Sequence, residues 1–398
     1  MGFDRERLTG LHDVLAGHVA HGGVPGLVAL VAQGDQVHVE ALGKRSLGGG
    51  PVGRDTLFRV ASMTKPVTAV AALILAEECR LRLDGPVDEL LPELAGRRVL
   101  ADPLGPLDDT VPAHRSITLR DLLTFRMGTG LVMAPPGSYP IQRAMEVLDL
   151  GQHAPHPALP PEPEEWLRRF ATLPLMHQPG ERWLYNTAFD VLGVLIARAS
   201  GRPFEEFLRE RVFEPLGMRD TGFHVPADQL DRFTTCYAGD PGNGGPAVYD
   251  EVNGEWAAPP AFPAGSAGLV STVDDFLAFG RMLLAGGRYG GRRLLSPGTV
   301  ELLATDQLTE QQKTLGQLVP GYFDGRGWGM GVAVVTRTAE LGHPAGQYGW
   351  DGGLGSSWAV DPVRGTVGVL LTSRAWSSPA PPPVCQDFWT AMYAALTD

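Results

Sequence analysis

The sequence predicts an α/β fold of the α+β type: one antiparallel sheet assembled from both ends of the chain, helices packed on it, and a mostly helical region inserted between. Two observations carry this expectation. Runs of strand character stand at residues 26–32 and 36–42 near the start, and at 328–337, 356–360 and 366–372 near the end. From about 115 to 265 the apolar residues change to helical spacing, in short segments joined by loops rich in Pro and Gly. The expected division is a sheet domain of residues 1–115 and 266–398 and a mostly helical domain of residues 116–265.

The elements follow in order. Leu8, Leu11, Leu15 and Val19 are spaced as one face of a helix that ends at Gly22-Gly23, an amphipathic helix rather than a signal peptide. The first two strand runs flank Gly34-Asp35 and read as a hairpin. Residues 57–60 are extended and lead into Ser62, from which a helical pattern reaches about Cys79. Further helices are expected over 119–125, 164–173, 190–200 and 204–212, whereas 153–163 is too dense in proline for helix or central strand. A last helix is expected over 384–396, behind a stiff proline-rich lead.

Composition narrows the function. The chain has 398 residues, 43% of them hydrophobic, with 51 Gly and 34 Pro, as expected of a folded, loop-rich protein. Its net charge of −12 opposes nucleic acid and anionic membrane as partners, because both require a basic surface that displaces counterions. The three cysteines, Cys79, Cys236 and Cys385, have neither disulfide-framework nor metal-motif spacing and are expected as small buried residues in a reduced compartment. The most apolar helical run, 67–76, is half the roughly 20 residues a membrane crossing needs, so a cytoplasmic protein is expected.

The usual signatures of α/β-hydrolases, zinc proteases and nucleotide enzymes are missing: there is no G-x-S-x-G, HExxH, P-loop or G-x-G-x-x-G. What stands out is Ser62-Met63-Thr64-Lys65 at a strand-to-helix junction. Residues three apart share a helix face, so the Lys65 amine can reach the Ser62 hydroxyl. Only three of the 33 basic residues are lysine (Lys44, Lys65 and Lys313), and lysine, unlike arginine, can act as a base once burial keeps it neutral. Ser62 at a helix start also offers its own N–H to a developing oxyanion. Tyr185-Asn186-Thr187 opens a later helix; a tyrosine hydroxyl beside a lysine ammonium favours its phenolate form and can relay protons. Trp350-Asp351-Gly352-Gly353-Leu354-Gly355 permits close backbone approach and a second N–H donor.

In this order and spacing, Ser62-x-x-Lys65, Tyr185-Asn186-Thr187 and Trp350-Asp351-Gly352 resemble the class C β-lactamase-like serine hydrolases, a superfamily that includes family VIII carboxylesterases and penicillin-binding proteins. The resemblance spans nearly the whole chain and implies a β-lactamase/transpeptidase-like fold with the active site between the two domains. It implies that Ser62 is the nucleophile, Lys65 its activating partner and Tyr185 the general base and proton relay. The N–H groups of Ser62 and Gly353 would form the oxyanion hole, and Thr187, Trp350, Asp351 and Gly352 would contact substrate. No cofactor or metal is implied. Two departures bear on substrate. The family's Asn two residues after the Tyr is Thr187 here, with Asn186 displaced by one. The usual cation of the third motif is Trp350, an apolar wall with one N–H donor.

Such a wall suits a neutral ester with a short or medium acyl chain, hydrolysed through an acyl group on Ser62. Hydrolysis of an amide, a β-lactam or a D-residue peptide, and acyl transfer, stay open as alternatives of the same chemistry. A catalytically silent binding or scaffold protein stays open as one of another class. Elsewhere, His343 is read as a strand-end histidine, His153 and His156 have no companions at metal-like spacing, and Met127, Met133, Tyr139 and Trp166 are candidates for an acyl pocket or for ordinary core.

Overall fold

An apolar run without alternation, such as that beginning at Gly26, needs cover on both faces. In the computed structural model, which describes residues 2–151, 153–239 and 245–397, it has that cover. The strands of the main sheet are β1 (Gly26–Gln33), β2 (Gln36–Gly43), β3 (Arg326–Trp328), β4 (Ala333–Val335), β5 (Tyr348–Gly352), β6 (Ser356–Asp361) and β7 (Thr366–Thr372). They lie antiparallel in the order β3-β4-β5-β6-β7-β1-β2. The two chain ends therefore meet inside the sheet, Gln33 opposite Thr366 and Leu27 opposite Thr372.

The helices that position the site are α1 (Arg5–Ala20), α2 (Thr64–Glu77), α3 (Ala188–Ser200), α4 (Val273–Leu284) and α5 (Pro383–Ala394). Successive residues of β1 alternate between two cores. Leu27, Ala29 and Val31 pack with Leu11 and Leu15 of α1 and Phe388 and Trp389 of α5. Val28, Leu30 and Ala32 join the larger core, where Val67 and Val70 of α2 and Phe276 of α4 reside. Helix α2 is buried at every residue from Thr64 to Leu75. A helix that is apolar all round belongs inside a protein, and Lys65, in its first turn, is carried there with it.

The structure differs from the sequence reading in several elements. The run 328–337 is two short strands, β3 and β4, with the chain turning at Gly331 (φ 81°) between them. The segment expected as one helix over 204–212 passes into a π-helical turn at Arg209–Phe213. Helix α4 was not anticipated; its start is capped by Thr272, whose side chain accepts from Asp275 N. Cys236 and Cys385 are buried as expected, whereas Cys79, just beyond α2, is exposed. Among the described residues, no helix is long and apolar enough to cross a membrane.

The extended residues before Ser62 are anchored by a buried ion pair. Arg59 donates to Asp250 through Nε (2.9 Å) and Nη2, to Thr234 O at 2.6 Å and to Glu251 O at 2.9 Å, and its guanidinium lies 4.0 Å from the Phe233 ring centroid. Removing one partner leaves the other charge buried and uncompensated. Asp250→Ala is therefore expected to cost about 3–5 kcal/mol of stability, read from the urea midpoint. A loss below about 1 kcal/mol would mean that the pair does not hold this segment.

Candidate active site

Ser62 occupies a 3₁₀ turn, Ala61–Met63, that runs directly into α2. The turn is bonded from three sides: Val60 N donates to Leu269 O (3.0 Å), Thr64 Oγ1 donates to Ala61 O (2.7 Å), and Ser356 Oγ donates to Val60 O (2.8 Å). Ala61 has φ 44°, a left-handed conformation that a side chain disfavours. Its surroundings hold it there, since Ala61 is packed with Leu354 and Val270. Opposite, Gly352 leaves room for this turn: a Cβ would stand 2.2 Å from Val60 O.

Lys65 has no exposed surface. Its Nζ lies 2.9 Å from Ser62 Oγ, 2.8 Å from Asn186 Oδ1 and 2.7 Å from Ser266 O. Burial pushes its pKa down to about 7, against the opposing charge of Asp190. The partners decide what a neutral amine does here. The Asn186 amide oxygen and the Ser266 carbonyl can only accept, so they take the amine's two hydrogens. The remaining lone pair faces Ser62, the one partner with a hydrogen to give.

Tyr185 accepts from Trp350 Nε1 at 2.9 Å and is also hydrogen-bonded to Ser62; its ring centroid is 4.5 Å from Lys65 Nζ. The phenolate anticipated from sequence is not favoured. Burial raises the Tyr185 pKa well above the ordinary tyrosine value, and a lysine with its pKa near 7 offers little compensating charge. Tyr185 is a neutral hydroxyl, able to donate a proton and take one back.

These features fit a recognised family. The family model described as Beta-lactamase matches residues 11–382. The chain belongs to the beta-lactamase family. It is 42% identical over 344 residues to Protein Rv1367c of Mycobacterium tuberculosis, covering 85% of this chain and 82% of that one. It is 34% identical over 387 residues to Esterase EstB of Burkholderia gladioli, covering 90% and 88%. Among solved structures it is similar to EstCE1, described as a hydrolase with promiscuous acyltransferase activity, with a TM-score of 0.79, 26% identity and 98% of both chains covered. The fold is thus the β-lactamase/transpeptidase-like one, and the protein is a serine hydrolase with esterase and acyltransferase relatives.

Within this beta-lactamase-family site, the residues singled out from sequence divide into those that meet and those that do not. Ser62, Tyr185 and Gly353 line one cavity of about 560 Å³, with Lys65 directly behind Ser62. Trp350 stands behind Tyr185 rather than forming a substrate wall, its ring centroid 4.6 Å from that of Trp328. Asp351 accepts from Ser357 Oγ at 2.5 Å on the opposite face of β5, as the two-residue strand period requires. Thr187 is buried at the start of α3 and does not line the cavity. The amide expected two residues after the tyrosine is supplied one residue after it instead. Asn186 adopts φ 84°, a left-handed conformation that asparagine tolerates better than most residues, and this turns its side chain to Lys65.

Two contributors escaped the sequence reading. Asp190, in the first turn of α3, accepts from Ser266 N at 3.1 Å, and burial raises its pKa to about 6. A lone acid in a helix otherwise as apolar as α3 was the available signal. Ser266 acts through its backbone carbonyl, and nothing in a side chain marks that. Of the remaining candidates, Trp166, His153 and His156 line the same cavity, Met133 and Tyr139 line a second one, Met127 is core, and His343 bonds the Gln347 side chain at 2.8 Å behind the sheet. Among the described residues, no three His, Cys, Asp or Glu side chains are grouped so as to hold a metal ion.

Proposed function

We propose that the protein is a carboxylesterase acting through an acyl-enzyme on Ser62, with neutral esters of short or medium acyl chains as substrates. The site lies between a sheet domain of residues 1–115 and 266–398 and a mostly helical domain of residues 116–265. Lys65 takes the Ser62 proton as the hydroxyl attacks the ester carbonyl, and the N–H groups of Ser62 and Gly353 receive the oxyanion. Tyr185 passes a proton to the departing alkoxide. Water then attacks the acyl-enzyme and releases the acid. The observation that carries this reading is the bonding of buried Lys65: of its three partners only the Ser62 hydroxyl has a hydrogen that a neutral amine can take.

The ester preference rests on the cavity rather than on Trp350. Among the described residues no Lys or Arg lines it, while Trp166, Phe262, Leu150 and Leu354 do. A carboxylate-bearing β-lactam or peptide would meet no strong cation there and would approach Asp190. The volume of about 560 Å³ falls in the ordinary range for small-molecule pockets and suits a modest acyl chain.

Two measurements test this. Intact-mass analysis after exposure to a p-nitrophenyl alkylphosphonate should find one phosphonyl adduct per chain; no gain in mass would favour a silent binding protein. Rates on p-nitrophenyl esters of increasing acyl length should exceed the rate on a chromogenic cephalosporin, and the reverse order would overturn the substrate assignment. Tyr185→Phe is expected to lower kcat by about 10²-fold with little change in Tm, since it removes the relay hydroxyl and leaves the ring stacked. Near-normal turnover in that variant would assign the leaving-group proton to another donor.

A further inference from the structure

A second cavity, of about 760 Å³, lies against the first. Two residues line both: Leu131 and Tyr185. The groups assigned to the carbonyl, Ser62 and Gly353, line only the first, as does Asn186, whereas Tyr185, the residue assigned to the proton relay, lines both. A departing alcohol must leave past the group that protonates its oxygen. The side of Tyr185 away from the carbonyl-binding groups is where that half of an ester would extend.

The second cavity also has an unusual rim. Of the eleven large apolar side chains exposed among the described residues, four line it: Leu104 (61% exposed), Val111 (43%), Met133 (43%) and Leu315 (37%). Scattered exposed apolar residues need no explanation, but a cluster around one opening indicates something apolar to cover it. Behind that rim the lining is mixed, with His114, Gln178 and Gln317 beside the charged groups, and those charges favour no anion. Arg182 is 3.3 Å from the Glu181 carboxylate, Asp102 adds a further acid, and burial holds His177 neutral with a pKa of about 4.

We infer that the second cavity is the alcohol-side binding site, and that the alcohol half of the substrate is bulky, apolar and uncharged. The inference rests on Ser62 being the acylated residue, and it adds a preference that the acyl cavity does not specify. Leu131 and Tyr185 form the partition across which the ester bond lies. The apolar rim then covers the alcohol's hydrocarbon, while the acyl chain occupies the cavity lined by Trp166 and Phe262.

The test uses two butyrate esters of primary alcohols that differ only in bulk, ethyl butyrate and 2-(decahydronaphthyl)ethyl butyrate. The full-length enzyme should show a KM at least about tenfold lower for the bulky ester, because each methylene held in an apolar pocket adds binding. Met133→Glu and, independently, Leu315→Glu should each raise KM for the bulky ester at least fivefold more than KM for ethyl butyrate. Both positions are exposed, so a charge there is compatible with folding. Equal effects on both esters, or none on either, would overturn the inference. So would a rim effect that followed acyl length instead of alcohol bulk. Loss of phosphonate labelling in the unsubstituted enzyme would instead sink the reading of Ser62, which keeps the two failures apart.

Discussion

Ser62→Ala is expected to abolish the phosphonate adduct and to lower kcat by a factor on the order of 10⁴–10⁶, the range found when a covalent nucleophile is deleted from a serine hydrolase. The substitution removes one oxygen atom and leaves its surroundings intact. The turn around Ser62 is fastened through Val60, Ala61 and Thr64, none of which uses the Ser62 hydroxyl. Circular dichroism and Tm should therefore match the parent protein. A Ser62→Ala protein that still gained a phosphonyl group would place the nucleophile elsewhere.

Lys65→Arg should lower kcat/KM by about 10²–10⁴-fold, because an obligate guanidinium cation cannot take the Ser62 proton. The same group sets the pH dependence. With a pKa of about 7, Lys65 is increasingly an ammonium below neutrality, and an ammonium has no lone pair for the serine. The kcat/KM of the parent enzyme should fall as pH drops through 7 and level off above it. Asp190 favours the ammonium, so Asp190→Asn should move that fall to lower pH while the plateau persists. A rate unchanged between pH 5 and 8, or an acid limb that Asp190→Asn leaves in place, would remove Lys65 from the role of base.

How much of this was readable without coordinates varies residue by residue, for physical reasons. The Ser62–Lys65 pairing follows from helix pitch alone, and the burial that depresses the lysine follows from the apolar run around it. The interior strand β1 was legible because sustained apolarity with short length is itself a strand signal. Asn186 was not, because a single left-handed residue redirects a side chain without changing composition. Asp351 was misread as a substrate contact because a motif names three adjacent residues, while a strand sends the middle one to the far side. Trp350 was assigned an environment from its chemistry alone; its N–H, rather than its apolar face, is what reaches the site. Asp190 acts through space on a charge it does not touch, so its only trace in the sequence was its isolation as an acid in an apolar helix.

The meeting of the two chain ends within one sheet has a consequence for biosynthesis. Gln33 leaves the ribosome 333 residues before its partner Thr366, a delay of roughly 15–70 s at ordinary elongation rates. Throughout that interval the strand at residues 26–33 has its hairpin neighbour on one edge and nothing on the other. Newly made chains thus pass through a long-lived adhesive stage, and expression yield should depend on chaperone supply and translation speed more than on the equilibrium stability of the finished enzyme.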